Sequence, residues 1–174
     1  MPNWVRSELN IVGDKEDIRK LMDKCHSVDE NGEENFFDFN GLIPTPNNIY
    51  QGNLGAEELA TYGENNWYDW NRKNWGTKWN SFNTNYGETR DGMIVFFDTA
   101  WNAPFPIYRA IKEQYPNLSI VAFWADEDLG NNCGWYDNGD IVYVDIDKPT
   151  DPVNFACTVW GYDADEMKEE YGIA

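Results

Sequence analysis

The stretch MIVFFDTAWNAPFPIYRAIKEQYPNLSIVAFWA, residues 93–125, holds a complete strand–helix–strand unit. Residues 93–99 form a short apolar run, the length and composition of a buried strand. Residues 104–114 read as a helix, because proline suits the first turn and Ile107, Ala110 and Ile111 recur at helical spacing. Residues 118–125 supply a second apolar strand. A strand, a crossover helix and a returning strand make a βαβ unit, and one unit invites a search for another.

The amino-terminal segment supplies it. Over residues 3–12, Trp4, Arg6, Glu8 and Asn10 alternate with Val5, Leu9 and Ile11, a half-buried strand in which Ser7 falls on the apolar side. Gly13 ends the strand, and Asp14 caps a helix to Cys25 that carries Ile18, Leu21, Met22 and Cys25 on one face. Residues 28–35 are an acidic loop, and residues 36–43 read as the next strand, closed by Pro44 and Pro46. Two βαβ units in a small domain predict an α+β fold: a ferredoxin-like sandwich with an antiparallel sheet and helices on one face. Residues 56–72 read as helical, interrupted at Gly63, and residues 67–82 carry Trp67, Trp70, Trp75 and Trp79 among Asn and Lys. After the second unit, residues 131–136 and 140–146 read as a hairpin around Asp137-Asn138-Gly139. Asp151 caps a short apolar stretch or strand to Trp160, and residues 163–171 form an acidic helix. The expected organisation is one domain: a first βαβ unit over 1–46, a Trp-rich insertion over 47–91, a second unit with hairpin over 92–146, and an acidic extension over 147–174.

The chain has 174 residues, 41% apolar and 16% aromatic, enough to bury a core without staples. No apolar run approaches the length of a membrane span. Residues 1–10 show neither a basic region nor an apolar signal core, and Cys25, Cys133 and Cys157 are an odd, scattered set. These features predict reduced thiols and a cytoplasmic location. Thirty-one acids oppose thirteen bases, a formal charge of −18. Such a surface repels nucleic acid, anionic membranes and free nucleotides, and it steers basic partners. Solubility alone is the plain alternative reading of that charge.

Several strings in order carry a family pattern: Met1-Pro2-Asn3-Trp4, then Leu42-Ile43-Pro44-Thr45-Pro46, then Asn74-Trp75-Gly76-Thr77-Lys78-Trp79-Asn80, then Phe97-Asp98-Thr99-Ala100-Trp101 followed by Pro104. Over residues 1–146 the chain resembles the YubB-type ferredoxin-like family of phage and conjugative-plasmid proteins, departing at Val5 and Glu8. The tail from Asp147 is expected to lie outside that pattern. The resemblance implies a ferredoxin-like fold, a mobile-element origin in a bacterial host, and the company of functions that protect an incoming element from host defence. It implies no established activity.

The sequence argues against most catalytic chemistries. His26 is the single histidine, so neither a zinc site nor a Ser or Cys triad assembles, and His26 reads as a helix-terminus residue. Asp137-Asn138-Gly139-Asp140 lacks calcium-loop spacing, and no GxSxG or P-loop is present. Aromatics near carboxylates keep glycoside cleavage as a weak alternative. No enzyme activity, metal or cofactor is expected.

Two constellations remain. From residue 120 onward there are thirteen acids against Lys148 and Lys168, a net −11. Asp145 and Asp147 share one strand face about 6.6 Å apart, close to the step between phosphates, and Asp163, Glu166, Glu169 and Glu170 share one helix stripe. The leading expectation is therefore an anti-defence inhibitor that binds the basic nucleic-acid groove of a host complex by DNA mimicry. Asp126, Glu127, Asp128, Asp137, Asp140, Asp145, Asp147, Glu166, Glu169 and Glu170 act as phosphate surrogates in it, and Trp135, Tyr136 and Tyr143 as buried anchors. The alternative is a small-ligand binding module whose pocket is lined by Trp75, Lys78, Trp79, Asp98 and Trp101. A structural reading of the same residues has the tryptophans plug the insertion onto the sheet, Lys78 pair with Asp98, and Asp98 or Thr99 cap the following helix.

Overall fold

The computed structural model describes residues 1–144 and 150–171. In chain order the elements are β1 (Trp4–Val12), α1 (Lys15–Cys25), the short β2 (Ser27–Val28) and β3 (Glu34–Asn35), a 3-10 turn (Phe39–Gly41), α2 (Ala56–Tyr62), α3 (Trp67–Asn74), β4 (Phe82–Glu88), β5 (Gly92–Ala100), α4 (Phe105–Gln114), β6 (Ser119–Asp126), β7 (Cys133–Asp137), β8 (Asp140–Tyr143), α5 (Thr150–Trp160) and α6 (Ala164–Tyr171).

Six strands form one sheet in the order β4-β5-β1-β6-β7-β8, and every neighbouring pair is antiparallel. The path β1-α1-β4-β5-α4-β6, with β1 between β5 and β6, is the ferredoxin-like arrangement of two split βαβ units. Both crossover helices pack on one face. Val5, Leu9 and Ile11 from β1 meet Ile18 and Leu21 from α1 and Ile107, Tyr108 and Ile111 from α4 in a continuous core. Ser7 sits on this apolar face because the buried Tyr108 hydroxyl needs a partner and donates to Ser7 Oγ at 3.1 Å.

The second strand of the first unit is not where the sequence places it. Residues 36–43 form turns and the 3-10 segment, opened by Asp38, whose Oδ1 accepts from Asn40 N. Phe37 and Phe39 alternate like strand residues, but they are buried against Phe97 by ring packing. The strand is β4, whose sequence FNTNYGE is polar because it is an edge strand with an irregular register between Phe82 and Asn85. The insertion within the first unit therefore spans residues 26–81, wider on one side and shorter on the other than the expected 47–91.

Beyond β6 the hairpin forms as expected, with Asn138 (φ 46°) and Gly139 (φ 131°) at its turn. Residues 151–160 belong to a helix, not a strand: Val153, Ala156, Cys157 and Trp160 recur at i, i+3, i+4 and i+7 and are buried. α5 lies on the face of the sheet opposite α1 and α4, an addition to the one-sided sandwich. Trp160 Nε1 donates to the carbonyls of Ala125 and Asp126, each at 3.1 Å, and Arg6 lies 4.3 Å above the indole. Asp163 caps α6 by accepting from Asp165 N and Glu166 N. Among the described residues no helix is long and apolar enough to cross a membrane.

Candidate binding surfaces

The acidic positions separate into buried and open groups. Asp126 is buried at the end of β6, where it accepts from Asn3 Nδ2 at 3.0 Å and Asp128 N at 2.9 Å. It is a structural acceptor that joins the first and sixth strands, so it cannot act as a phosphate surrogate. Glu127 and Asp128 are exposed beside it: Glu127 accepts from Trp4 N, and Asp128 from Asn131 Nδ2. Asp137 and Asp140 face each other across the hairpin turn, both exposed. The two pairs stand toward opposite ends of the β6–β7 ladder. Glu166, Glu169 and Glu170 are exposed on α6, whereas Asp163 is taken up in the cap. Asp145 and Asp147 lie outside the described residues.

The expected aromatic anchors divide in the same way. Tyr136 is 1% exposed and packs on Tyr108 at 5.2 Å, so it belongs to the core and anchors no partner. Trp135 is half-buried near Phe155. Tyr143 is open, 58% exposed, with its ring edge on Trp124. It ends β8, the outermost strand of the sheet among the described residues, where Ile141 and Val142 are also exposed.

Of the expected ligand pocket, the structure assembles three residues and removes two. Trp75 is buried in the core, packed on Phe39 and Trp70, and its Nε1 donates to Ile43 O. Asp98 is buried on the α5 side and pairs with Arg6, not Lys78, through contacts of 2.9 and 3.1 Å. Asn83 Nδ2 also donates to it at 2.9 Å. Thr99 donates to Val5 O and Asn102 O, so neither Asp98 nor Thr99 caps α4, which starts behind Pro104 without a side-chain cap. Within the WGTKWN string, Thr77 is buried and exchanges two hydrogen bonds with the backbone of Ala100, at 2.7 and 3.1 Å. Gly76 (φ +79°) passes Pro106 so closely that a Cβ would stand 2.8 Å from its Cδ.

Lys78, Trp79 and Trp101 come together. Lys78 Nζ lies 5.0 Å from each of the two ring centres. Two residues that the sequence reading missed complete the group. Arg72 sits 5.1 Å from the ring of Tyr68 and 5.9 Å from that of Trp101, and Tyr68 meets Trp101 edge-on. Their i, i+4 spacing on one helix was the available signal. Trp101 is exposed and held at φ 76°, an uncommon conformation for a bulky residue. Its backbone is fixed on both sides: its N–H donates to Asn3 O, and its carbonyl accepts from Asn132 Nδ2. A groove of about 750 Å³ adjoins, lined by Gln51, Asn53, Leu59, Trp67, Tyr68 and Lys78 among others.

A second cleft, about 500 Å³, lies between α1 and β4–β5. Within it Arg19 pairs with Glu16 and Asp23, and His26 with Glu34, whereas Lys15 and Glu88 have no ion-pair partner among the described residues. The three thiols are buried; burial pushes Cys25 up to about 12 and Cys133 up to about 11, which keeps both protonated and unreactive. Among the described residues no three His, Cys, Asp or Glu side chains converge to hold a metal.

No curated protein and no solved structure matches the chain. Residues 74–173 match the family described as the ferredoxin-like domain in Api92-like protein. The match runs from the tryptophan-rich string through the second split unit, the hairpin and α5 into α6, so the acidic extension lies inside the family domain and not beyond it. With more than half its length matched and a sheet of the corresponding topology, the chain belongs to the family of the ferredoxin-like domain in Api92-like protein.

Proposed function

We propose that this protein is a non-enzymatic inhibitor carried by a mobile element, which binds the basic nucleic-acid groove of a host defence complex such as a CRISPR effector or a restriction enzyme. The observation that carries this reading is β8, the outermost strand of the sheet among the described residues, where Ile141, Val142 and Tyr143 are exposed and Asp137 and Asp140 frame the turn. From residue 119 to 144 there are five acids and no Lys or Arg. An edge of this kind accepts a partner by backbone pairing and apolar contact, while the surrounding carboxylates steer it and exclude nucleic acid.

In this reading Glu127, Asp128, Asp137, Asp140, Glu166, Glu169 and Glu170 stand in for phosphates, and Tyr143 with Trp135 supplies the apolar contact. The test is displacement of DNA from a purified defence complex at several salt concentrations. The native protein displaces DNA and does so less well as salt rises. A variant with Glu127→Gln, Asp128→Asn, Asp137→Asn and Asp140→Asn loses most of that effect. Undiminished displacement by the quadruple variant would sink charge mimicry.

A further inference from the structure

The insertion carries a feature opposite in sign to the rest of the molecule. Residues 67–80 hold three bases and one acid in a chain with eighteen more acids than bases. Among the described residues, neither Lys78 nor Arg72 has a carboxylate within ion-pair distance, although Arg6, Arg19, Lys20 and His26 each do. Both cations rest on ring faces instead, 5.0 and 5.9 Å from the centre of the Trp101 ring. Aromatic faces hold a cation in place without neutralising it, so these charges remain available to an anion. The strained Trp101 backbone, fixed by Asn3 and Asn132, keeps the shared ring in position.

The adjoining groove supplies the other half of a site. Its volume falls within the range of small-ligand pockets. Trp67 and Tyr68 give it aromatic walls, Leu59 an apolar one, Gln51 and Asn53 offer amide donors and acceptors, and its one carboxylate, Asp69, accepts from Asn66 Nδ2 at 2.7 Å. The Trp67 indole is fixed by donating to Gly52 O at 3.0 Å. A phosphate beside a flat heterocycle is the ligand chemistry that uses both halves.

We propose that this groove binds a nucleotide, with its phosphate held by Lys78 and Arg72 and its base against the Trp67–Tyr68 wall. The overall charge of the chain predicts repulsion of nucleotides, but surface charges more than about a Debye length away, roughly 8 Å at physiological salt, are largely screened. The site is separate from the β8 edge, so its success or failure leaves the inhibitor reading standing.

The test is titration of the full chain with adenosine, guanosine, cytidine and uridine 5′-monophosphates, followed by calorimetry and by the indole N–H signals of the tryptophans. The matching nucleosides, inorganic phosphate and a short 5′-phosphorylated single-stranded oligonucleotide are run beside them. A nucleotide is expected to shift the Trp67, Trp79 and Trp101 signals and to bind about tenfold or more tighter than its nucleoside, roughly 1.4 kcal/mol by the affinity relation. Lys78→Met, which keeps the methylenes on the rings, and Arg72→Gln each lose about that factor, and Lys78→Arg retains binding. A tighter oligonucleotide names a strand end as the source, and equal affinity names the free nucleotide. No shift with any monophosphate at millimolar concentration overturns the proposal. So does phosphate binding as tightly as the nucleotide, or binding that survives in a folded Lys78→Met protein.

Discussion

The sheet body and the insertion over residues 26–81 both bury phenylalanines, but they position them by different means. In the body, Val95 and Phe97 face the core because strand alternation puts them there, and the ladder with β1 satisfies their backbone. In the insertion no ladder reaches Phe37 and Phe39. The amide of Phe36 donates to Thr84 Oγ1, that of Phe37 to Asn35 Oδ1 and that of Phe39 to Asn80 Oδ1, at 2.8–2.9 Å. Polar side chains thus do for this segment what neighbouring strands do for the body, since buried backbone donors must be paired. The abundance of asparagine in the insertion follows from that need.

Phe97 joins the two regions, with its ring 5.0 Å from Phe37 and 5.9 Å from Phe39. Phe97→Ala is expected to cost about 3–5 kcal/mol, the range for truncating a buried phenylalanine. Urea unfolding followed by tryptophan fluorescence and by circular dichroism checks this. Coincident curves mean that body and insertion unfold together, and separated curves would break the coupling that the shared ring implies.

The next effect belongs to the second face of the body. Arg6 is clamped between the buried Asp98 and the Trp160 ring, and the hydrogen bonds it donates to Asp98 raise its already high pKa further. Arg6→Met leaves the carboxylate buried with Asn83 as its remaining partner, a loss of about 3 kcal/mol. Arg6→Met combined with Asp98→Asn recovers much of it. A double variant no better than Arg6→Met would mean that the pairing with Trp160, and not the charge, sets the cost.

These two regions also differ in how far they can be read from sequence. β1, α1 and α4 announce themselves by period and β5 and β6 by apolar runs, because each packs against a common core. β4 does not, since an edge strand paired on one side carries little apolar pattern, and Phe37 with Phe39 imitates the pattern that β4 lacks. α5 carried a clear helical period that a short apolar run obscured. At the candidate sites, sequence found Lys78, Trp79 and Trp101 through their proximity to aromatic strings. It missed Tyr68 and Arg72, because the contact to Trp101 crosses from α3 to the end of β5. Asp98, Asp126 and Tyr136 misled for a common reason: polar residues suggest a surface, and here each is buried with a bonded or packed partner.

A smaller effect separates the regions further. Asn80→Ala removes the acceptor for the Phe39 and Ser81 amides and the donor to Asp38, about 1–3 kcal/mol for leaving buried donors unpaired. Hydrogen exchange then accelerates at Phe39 and Ser81 while β1 keeps its protection. Alkaline pH acts on the body instead. Burial raises Cys25 from about 9 to about 12. Its neutral-thiol stabilisation is complete below the ordinary value and is lost as pH rises toward the folded one. Stability is therefore expected to fall above about pH 9, and Ellman's reagent at pH 8 reacts with the thiols only after denaturation. Rapid reaction of the native protein would contradict the burial of Cys25, Cys133 and Cys157.

The smallest effect lies on the outer face of α1, and it tests whether charge contributes anything to the body. Arg19 bonds Glu16 at 2.8 Å and Asp23 at 2.8 Å, and its hydrogen bond lowers the Glu16 pKa below the ordinary value. A lowered carboxyl stabilises the fold above its unfolded pKa and loses that contribution as pH falls through the folded one. Both side chains are open to water, so the pair is screened by salt and costs entropy to hold. Glu16→Gln is expected to lower the melting temperature slightly at neutral pH and low salt. The difference should close in molar salt, and again once acid protonates Glu16 in the native protein. A large, salt-resistant drop would mean that α1 depends on its charges, and that the body is less a product of its apolar face than the sheet register implies.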